Sequence, residues 1–144
     1  MYTFDYQRPA NTAAAAAAIQ GDARYLAGGQ SLVQAMKLRL SSCERLVDLG
    51  GVADLKGIRL DGSNVVIGAM TTHATVAASA DVKKTIPALA ELAGGIGDQM
   101  VRNMGTLGGS IANADPAACY PAAILGLGAA ITTNQRTIAG DSFF

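Results

Sequence analysis

Two glycine pairs, each followed by a hydroxyl, carry the chemistry of this chain. The first lies in Ala27-Gly28-Gly29-Gln30-Ser31-Leu32. The second lies in Thr106-Leu107-Gly108-Gly109-Ser110, inside a longer stretch from Met104 to Pro116 that also holds Asn113 and Asp115. Without a Cβ the backbone reaches φ > 0 and can lie directly against a ligand, and successive amide N–H groups then converge on an anion. Ser31, Thr106 and Ser110 add hydroxyl donors. Two such stretches, both read here as loops, can grip two ends of one phosphate-bearing ligand.

Other chemistries lack their residues. No G-x-x-x-x-G-K-[ST] occurs, and no G-x-G-x-x-G opens a helix after a strand, so neither a P-loop nor an ordinary dinucleotide fingerprint is supported. His73 is the only histidine, and Cys43 and Cys119 stand apart without CxxC spacing, which leaves no metal-ligand set. A G-x-S-x-G elbow is also missing, so no Ser-His-Asp hydrolase is expected. His73 reads as a helix-start or core residue, and Lys37 and Arg39 as a solvated basic edge before they read as phosphate ligands. No catalytic residue and no metal site is expected.

The elements that position these residues follow from pattern. Tyr2, Phe4 and Tyr6 alternate with polar residues, as in a short half-buried strand ended by Pro9. Asn11 or Thr12 can cap a helix over the alanine tract, which Gly21-Asp22 stops. Residues 23–27 read as a strand that delivers the chain into the first glycine pair, and Leu32 to Leu40 as a short helix beyond it. That order sets amides where a helix start favours negative charge. Residues 44–49 are a third strand, so a small β-α-β-α-β unit closes near residue 50. Leu55 to Leu60 and Asn64 to Ala69, joined by Asp61-Gly62-Ser63, then form a hairpin. Thr71 or Thr72 caps a helix to Ser79; Asp81 caps another to Ala93, interrupted by Pro87; Gly94, Gly95 and Gly97 end it. Ala117 to Leu127 suits a helix, and 129–133 with 136–139 form a second hairpin around Asn134-Gln135.

Composition agrees with a globular protein. The chain has 144 residues, 50% of them apolar, enough for one medium domain or two small ones. Lys plus Arg balance Asp plus Glu at 11 each, which leaves no basic footprint for nucleic acid. No apolar run approaches the roughly 18 residues of a membrane span. The N-terminus does not resemble a signal peptide and the cysteines form no disulfide framework, so a cytoplasmic location is the default.

Three stretches appear in fixed order: Ala27 to Leu32; Ile67-Gly68-Ala69-Met70-Thr71; and Val101-Arg102-Asn103-Met104-Gly105-Thr106-Leu107-Gly108-Gly109-Ser110-Ile111-Ala112-Asn113-Ala114-Asp115-Pro116-Ala117. Together they resemble one family, the FAD-binding medium subunit of molybdenum hydroxylases, of the carbon monoxide dehydrogenase and xanthine dehydrogenase type. The resemblance covers essentially the whole chain.

It implies an α+β flavin domain of the p-cresol methylhydroxylase type. The parts would be a small α/β subdomain over residues 1–52 and a larger mixed, antiparallel one over 53–144, with FAD clamped between them. It also implies that Ala27, Gly28, Gly29, Gln30, Ser31 and Leu32, with Thr106, Leu107, Gly108, Gly109 and Ser110, hold the pyrophosphate. Asn113 and Asp115 would lie toward the ribityl chain, although Asp115 equally suits a cap for the helix after Pro116. Cys119 stands in Cys119-Tyr120-Pro121 where relatives carry an Asp-x-Pro arrangement whose acid helps hold the cofactor. It is either a weaker cofactor contact or a small buried residue.

The implied enzyme oxidises its substrate at molybdenum on a large subunit and passes electrons through [2Fe–2S] clusters on a small one. FAD here would be the exit to a quinone, NAD⁺ or O₂, so no acid-base pair is needed in this chain. Family members continue into a third domain, whereas this sequence stops at Phe143-Phe144, as a fragment would. The rival readings are a remnant that joins the partner subunits without flavin and a stand-alone binder of another nucleotide.

Overall fold

The computed structural model describes all 144 residues. Its N-terminal part is a three-stranded parallel sheet of β1 (Asp5–Gln7), β2 (Ala23–Leu26) and β3 (Arg45–Asp48) in the order β1-β3-β2. Alternation along the central strand sends consecutive side chains to opposite faces. Val47 is fully buried against Ala15 and Val52, on the side of helix α1 (Thr12–Ala18), while Leu46 meets Met36 and Cys43 on the side of α2 (Leu32–Lys37). The alanine tract is thus a thin helix that lies close to the sheet. Asn11 caps it, accepting from the Ala14 amide at 2.8 Å.

Beyond two short 3-10 turns the chain becomes antiparallel. Strands β4 (Ile58–Asp61) and β5 (Asn64–Ile67) pair as a hairpin, with Asp61 opposite Asn64. Four helices follow: α3 (His73–Ala78), α4 (Ala80–Thr85), α5 (Pro87–Gly95) and α6 (Gln99–Met104). Next come α7 (Leu107–Asn113), α8 (Cys119–Gly126) and a second hairpin of β6 (Ala130–Thr132) and β7 (Thr137–Ala139). One core joins them, with Val76, Val82, Leu89, Ala93, Ile111 and Tyr120 at its centre.

Three expectations change. Ser79, not Asp81, caps α4, because its hydroxyl reaches the Val82 amide at 3.3 Å; Asp81 sits inside the first turn. Gly94 and Gly95 remain helical, and the break falls at Ile96-Gly97, where Gly97 has φ +52°. The stretch from Met104 to Pro116, read as a loop, is mostly α7, with Gly108 and Gly109 in its first turn.

Candidate functional site: a junction of glycine-bearing segments

Strand β2 delivers the chain to Gly28. A methyl group there would lie 2.1 Å from the Met104 carbonyl oxygen and 2.7 Å from Gly105 Cα, so only glycine permits this approach of two backbones. Gly29 follows with φ +71°, turning the chain into α2. None of the six amides from Ala27 to Leu32 donates to a backbone or side-chain acceptor. Ser31, at the start of α2, makes no capping bond with its side chain and is exposed. Gln30 Nε2 donates to the Gly28 carbonyl at 3.4 Å. The result is a row of unspent donors at the edge of the sheet, the electrostatic complement of a phosphate group.

The second glycine pair works differently. Gly108 donates its amide to the Ala69 carbonyl at 2.9 Å, Gly109 to Thr106 Oγ1 at 3.2 Å and Leu107 to the Thr71 carbonyl at 3.0 Å. These amides are used within the protein, which corrects the expectation that both segments present free N–H groups. The glycines are needed for space. A methyl group on Gly108 would meet Ala69 Cβ at 2.5 Å, and one on Gly109 would meet Thr106 Oγ1 at 2.7 Å and Ala27 Cβ at 3.1 Å. Helical spacing puts Thr106, Ser110 and Asn113 on one face of α7, the face that Gly109 turns toward Ala27. Leu107 and buried Ile111 line the opposite face and join the core.

The structure therefore gathers Ala27 to Leu32 and Thr106 to Ser110 at one junction. Asn113 and Asp115 sit at the far end of α7, about 10 Å along its axis at 1.5 Å per residue. Asp115 Oδ1 accepts from the Ala117 amide at 2.9 Å within a turn; α8 begins later than expected, at Cys119 with Ala118 in the cap position, so the reading of Asp115 as its cap is corrected. Cys119 is the exposed first residue of α8, so its reading as a small buried residue is corrected. Arg39, with φ +59°, lies over the Tyr2 ring at 5.5 Å.

Sequence reasoning missed the supports. Thr71 is buried; its hydroxyl donates to the Gly57 carbonyl and accepts the Gly57 amide, each at 3.0 Å, while its carbonyl holds α7. The T-T-H run hinted only at a helix cap. His73 and Tyr120, remote in sequence, meet with ring centroids 5.3 Å apart. Burial lowers the imidazole pKa and, as the main cause, raises that of the phenol, with Cys119 adding to the latter.

The family model described as the FAD binding domain in molybdopterin dehydrogenase matches residues 2–144. The chain belongs to that family. Among similar proteins, the carbon monoxide dehydrogenase medium chain of Hydrogenophaga pseudoflava is 40% identical, over 98% of this chain and 52% of that one. The corresponding chain of Afipia carboxidovorans is 47% identical, over 89% of this chain and 46% of its own length. A solved structure of reconstituted CO dehydrogenase from Oligotropha carboxidovorans superposes with a TM-score of 0.92 at 44% identity, over 96% of this chain and 51% of that one. The chain thus spans about half the length of the curated relatives it matches.

FAD is the cofactor of this molybdopterin-dehydrogenase domain. The donors present fit it: six unspent amides suit a pyrophosphate, and the free hydroxyl of Ser31 and the polar face of α7 stand beside them. No group of histidine, cysteine and carboxylate side chains assembles that could hold a metal. No helix is long and apolar enough to cross a membrane.

Proposed function

We propose that this chain is the FAD-holding, electron-exit part of a cytoplasmic molybdenum hydroxylase, set between the [2Fe–2S] clusters of a small partner subunit and an external acceptor. A large partner subunit with the molybdenum cofactor would carry out substrate oxidation. The observation that carries this reading is the row of six amides without acceptors, held at a junction that glycines alone allow.

In this reading residues 1–52 and 53–144 act as two units that clamp the cofactor. The amides of Ala27, Gly28, Gly29, Gln30, Ser31 and Leu32 offset the pyrophosphate charge. Thr106, buried, caps α7 and so fixes the start of the helix, while Ser110 and Asn113 offer polar atoms along the face beside them. Leu107, Gly108 and Gly109 set the approach of that helix. Asp115 keeps one carboxylate oxygen outside its turn, and the Cys119 thiol is accessible. Bound there, FAD supplies the capacity to take up two electrons and release them to a different acceptor. The chain's own contribution is to hold and orient it.

The test is reconstitution. The purified chain, titrated with FAD, should acquire the two visible absorption bands of bound oxidised flavin at one equivalent. It should also form a stable complex with the two partner subunits of a related hydroxylase. Complex formation with no flavin uptake would establish the flavin-free assembly role instead.

A further inference from the structure

The His73–Tyr120 pair lies beneath the junction and plays no part in the cofactor contacts above. His73 opens α3 and is buried, and its backbone amide donates to the Gly105 carbonyl at 3.0 Å. Its ring presses on the same residue: a methyl group on Gly105 would lie 2.6 Å from His73 Nε2 and 2.8 Å from its Cδ2. Behind the imidazole stands Tyr120, wholly buried, its ring tilted 43° to that of His73. Neither His73 Nδ1 nor the Tyr120 hydroxyl has a hydrogen-bond partner, so both rings act through shape and packing. Above them Gly105 touches Gly28 on one side and leads directly into Thr106, the cap of α7, on the other.

We propose that His73, backed by the Tyr120 ring, is a positioning residue for FAD: the uncharged imidazole is the floor that holds the Gly105–Thr106 turn against Gly28. The proposal rests on the FAD reading of the junction. A protonated ring would put a charge where nothing compensates it. The elements packed against α3 carry Asp81, Lys83 and Lys84 on α4, Glu91 on α5 and Arg102 on α6. The first four are exposed, and Arg102 donates to the Ile96 and Gly97 carbonyls and to Gln99. On α8 the facing group is neutral Tyr120, with exposed Cys119 beside it. Burial alone lowers the imidazole pKa, in keeping with a ring that meets no carboxylate. Protonation therefore works against the packing of the ring and, on this proposal, displaces the ring and the turn it supports.

The experiment measures FAD dissociation constants of the full chain from pH 8 to pH 5, with melting temperatures, for wild type, His73→Met and His73→Ala. Methionine fills the space flexibly and cannot titrate. At pH 8 His73→Met should bind FAD within about threefold of wild type and His73→Ala at least about tenfold more weakly, the loss that goes with about 1.4 kcal/mol of misplaced support. Below the imidazole pKa the wild type should weaken by up to about tenfold per pH unit, as for one obligatory deprotonated group, while His73→Met stays flat. A His73→Met protein that follows the wild-type pH curve, or a folded His73→Ala protein that binds as tightly as wild type, overturns the proposal. If the wild type takes up no FAD at any pH, the FAD reading falls and this proposal with it. Should His73→Ala melt below the assay temperature, the His73→Met profile alone decides.

Discussion

At the scale of single residues, Gly28 tolerates no side chain because the atoms facing it are backbone, as they are also at Gly68. Gly28→Ala forces two chain segments apart and should cost about 1–3 kcal/mol, typical of overpacking at a site that cannot yield. We expect a lower melting temperature and at least tenfold weaker FAD binding, whereas Gly21→Ala meets no atom within 4 Å and should cost only its φ strain. Cys119→Asp makes a different prediction. The exposed first position of α8 accepts a carboxylate without burial and favours its charge. The variant should melt no earlier than wild type, and its FAD affinity should rise by about 1 kcal/mol if the new acceptor reaches the cofactor. Equal affinity in a fluorescence titration would remove Cys119 from the site. Tyr6 offers an alkaline test. Its hydroxyl donates to Asp48, and that bond, the largest cause, raises its pKa. A raised folded-state pKa means stability that is complete below the unfolded value of about 10 and is lost as pH climbs through the folded one. Unfolding followed from pH 9 to 11 should show a steeper decline for wild type than for Tyr6→Phe.

At the scale of elements, α7 depends on its cap. Thr106→Ala removes the oxygen that accepts the Gly109 amide and should cost about 1 kcal/mol, with Thr106→Ser recovering most of it. Helical content by circular dichroism and FAD affinity should fall together in the first variant and return in the second. This helix also marks the limit of legibility. Two glycines in one turn oppose helix formation by about 1 kcal/mol each, so local propensity predicts a loop. The contacts with Ala69 and Ala27 that favour the helix instead come from distant segments. By contrast α1, α2, the parallel sheet and both hairpins are readable, because Asn11, the alanine tract, Gly29 and the turn at Gly62-Ser63 act on their immediate neighbours. Of the candidate site, Ala27 to Leu32 is legible as a donor row, since the glycine that opens such a turn lies within it. The Thr71 bonds to Gly57 and the His73–Tyr120 contact leave no local signal at all.

At the scale of the whole molecule, charge and surface act together. The formal net charge is zero and the isoelectric point lies near 6.5, while Leu38, Leu40 and Met100 are at least 70% exposed. With no net repulsion and exposed apolar side chains, self-association of the isolated chain should peak close to that pH. Static light scattering between pH 5 and pH 9 checks this; a flat profile would show that charge does not govern its solubility. The junction has a further consequence. Where Gly28 meets the Met104 carbonyl and Gly105, peptide touches peptide, so the gap between the two segments is set by the radii of backbone atoms. Such a contact is a mechanical stop: substitutions in the flanking cores can change how those cores pack, yet these two backbones come no closer than their atomic radii allow.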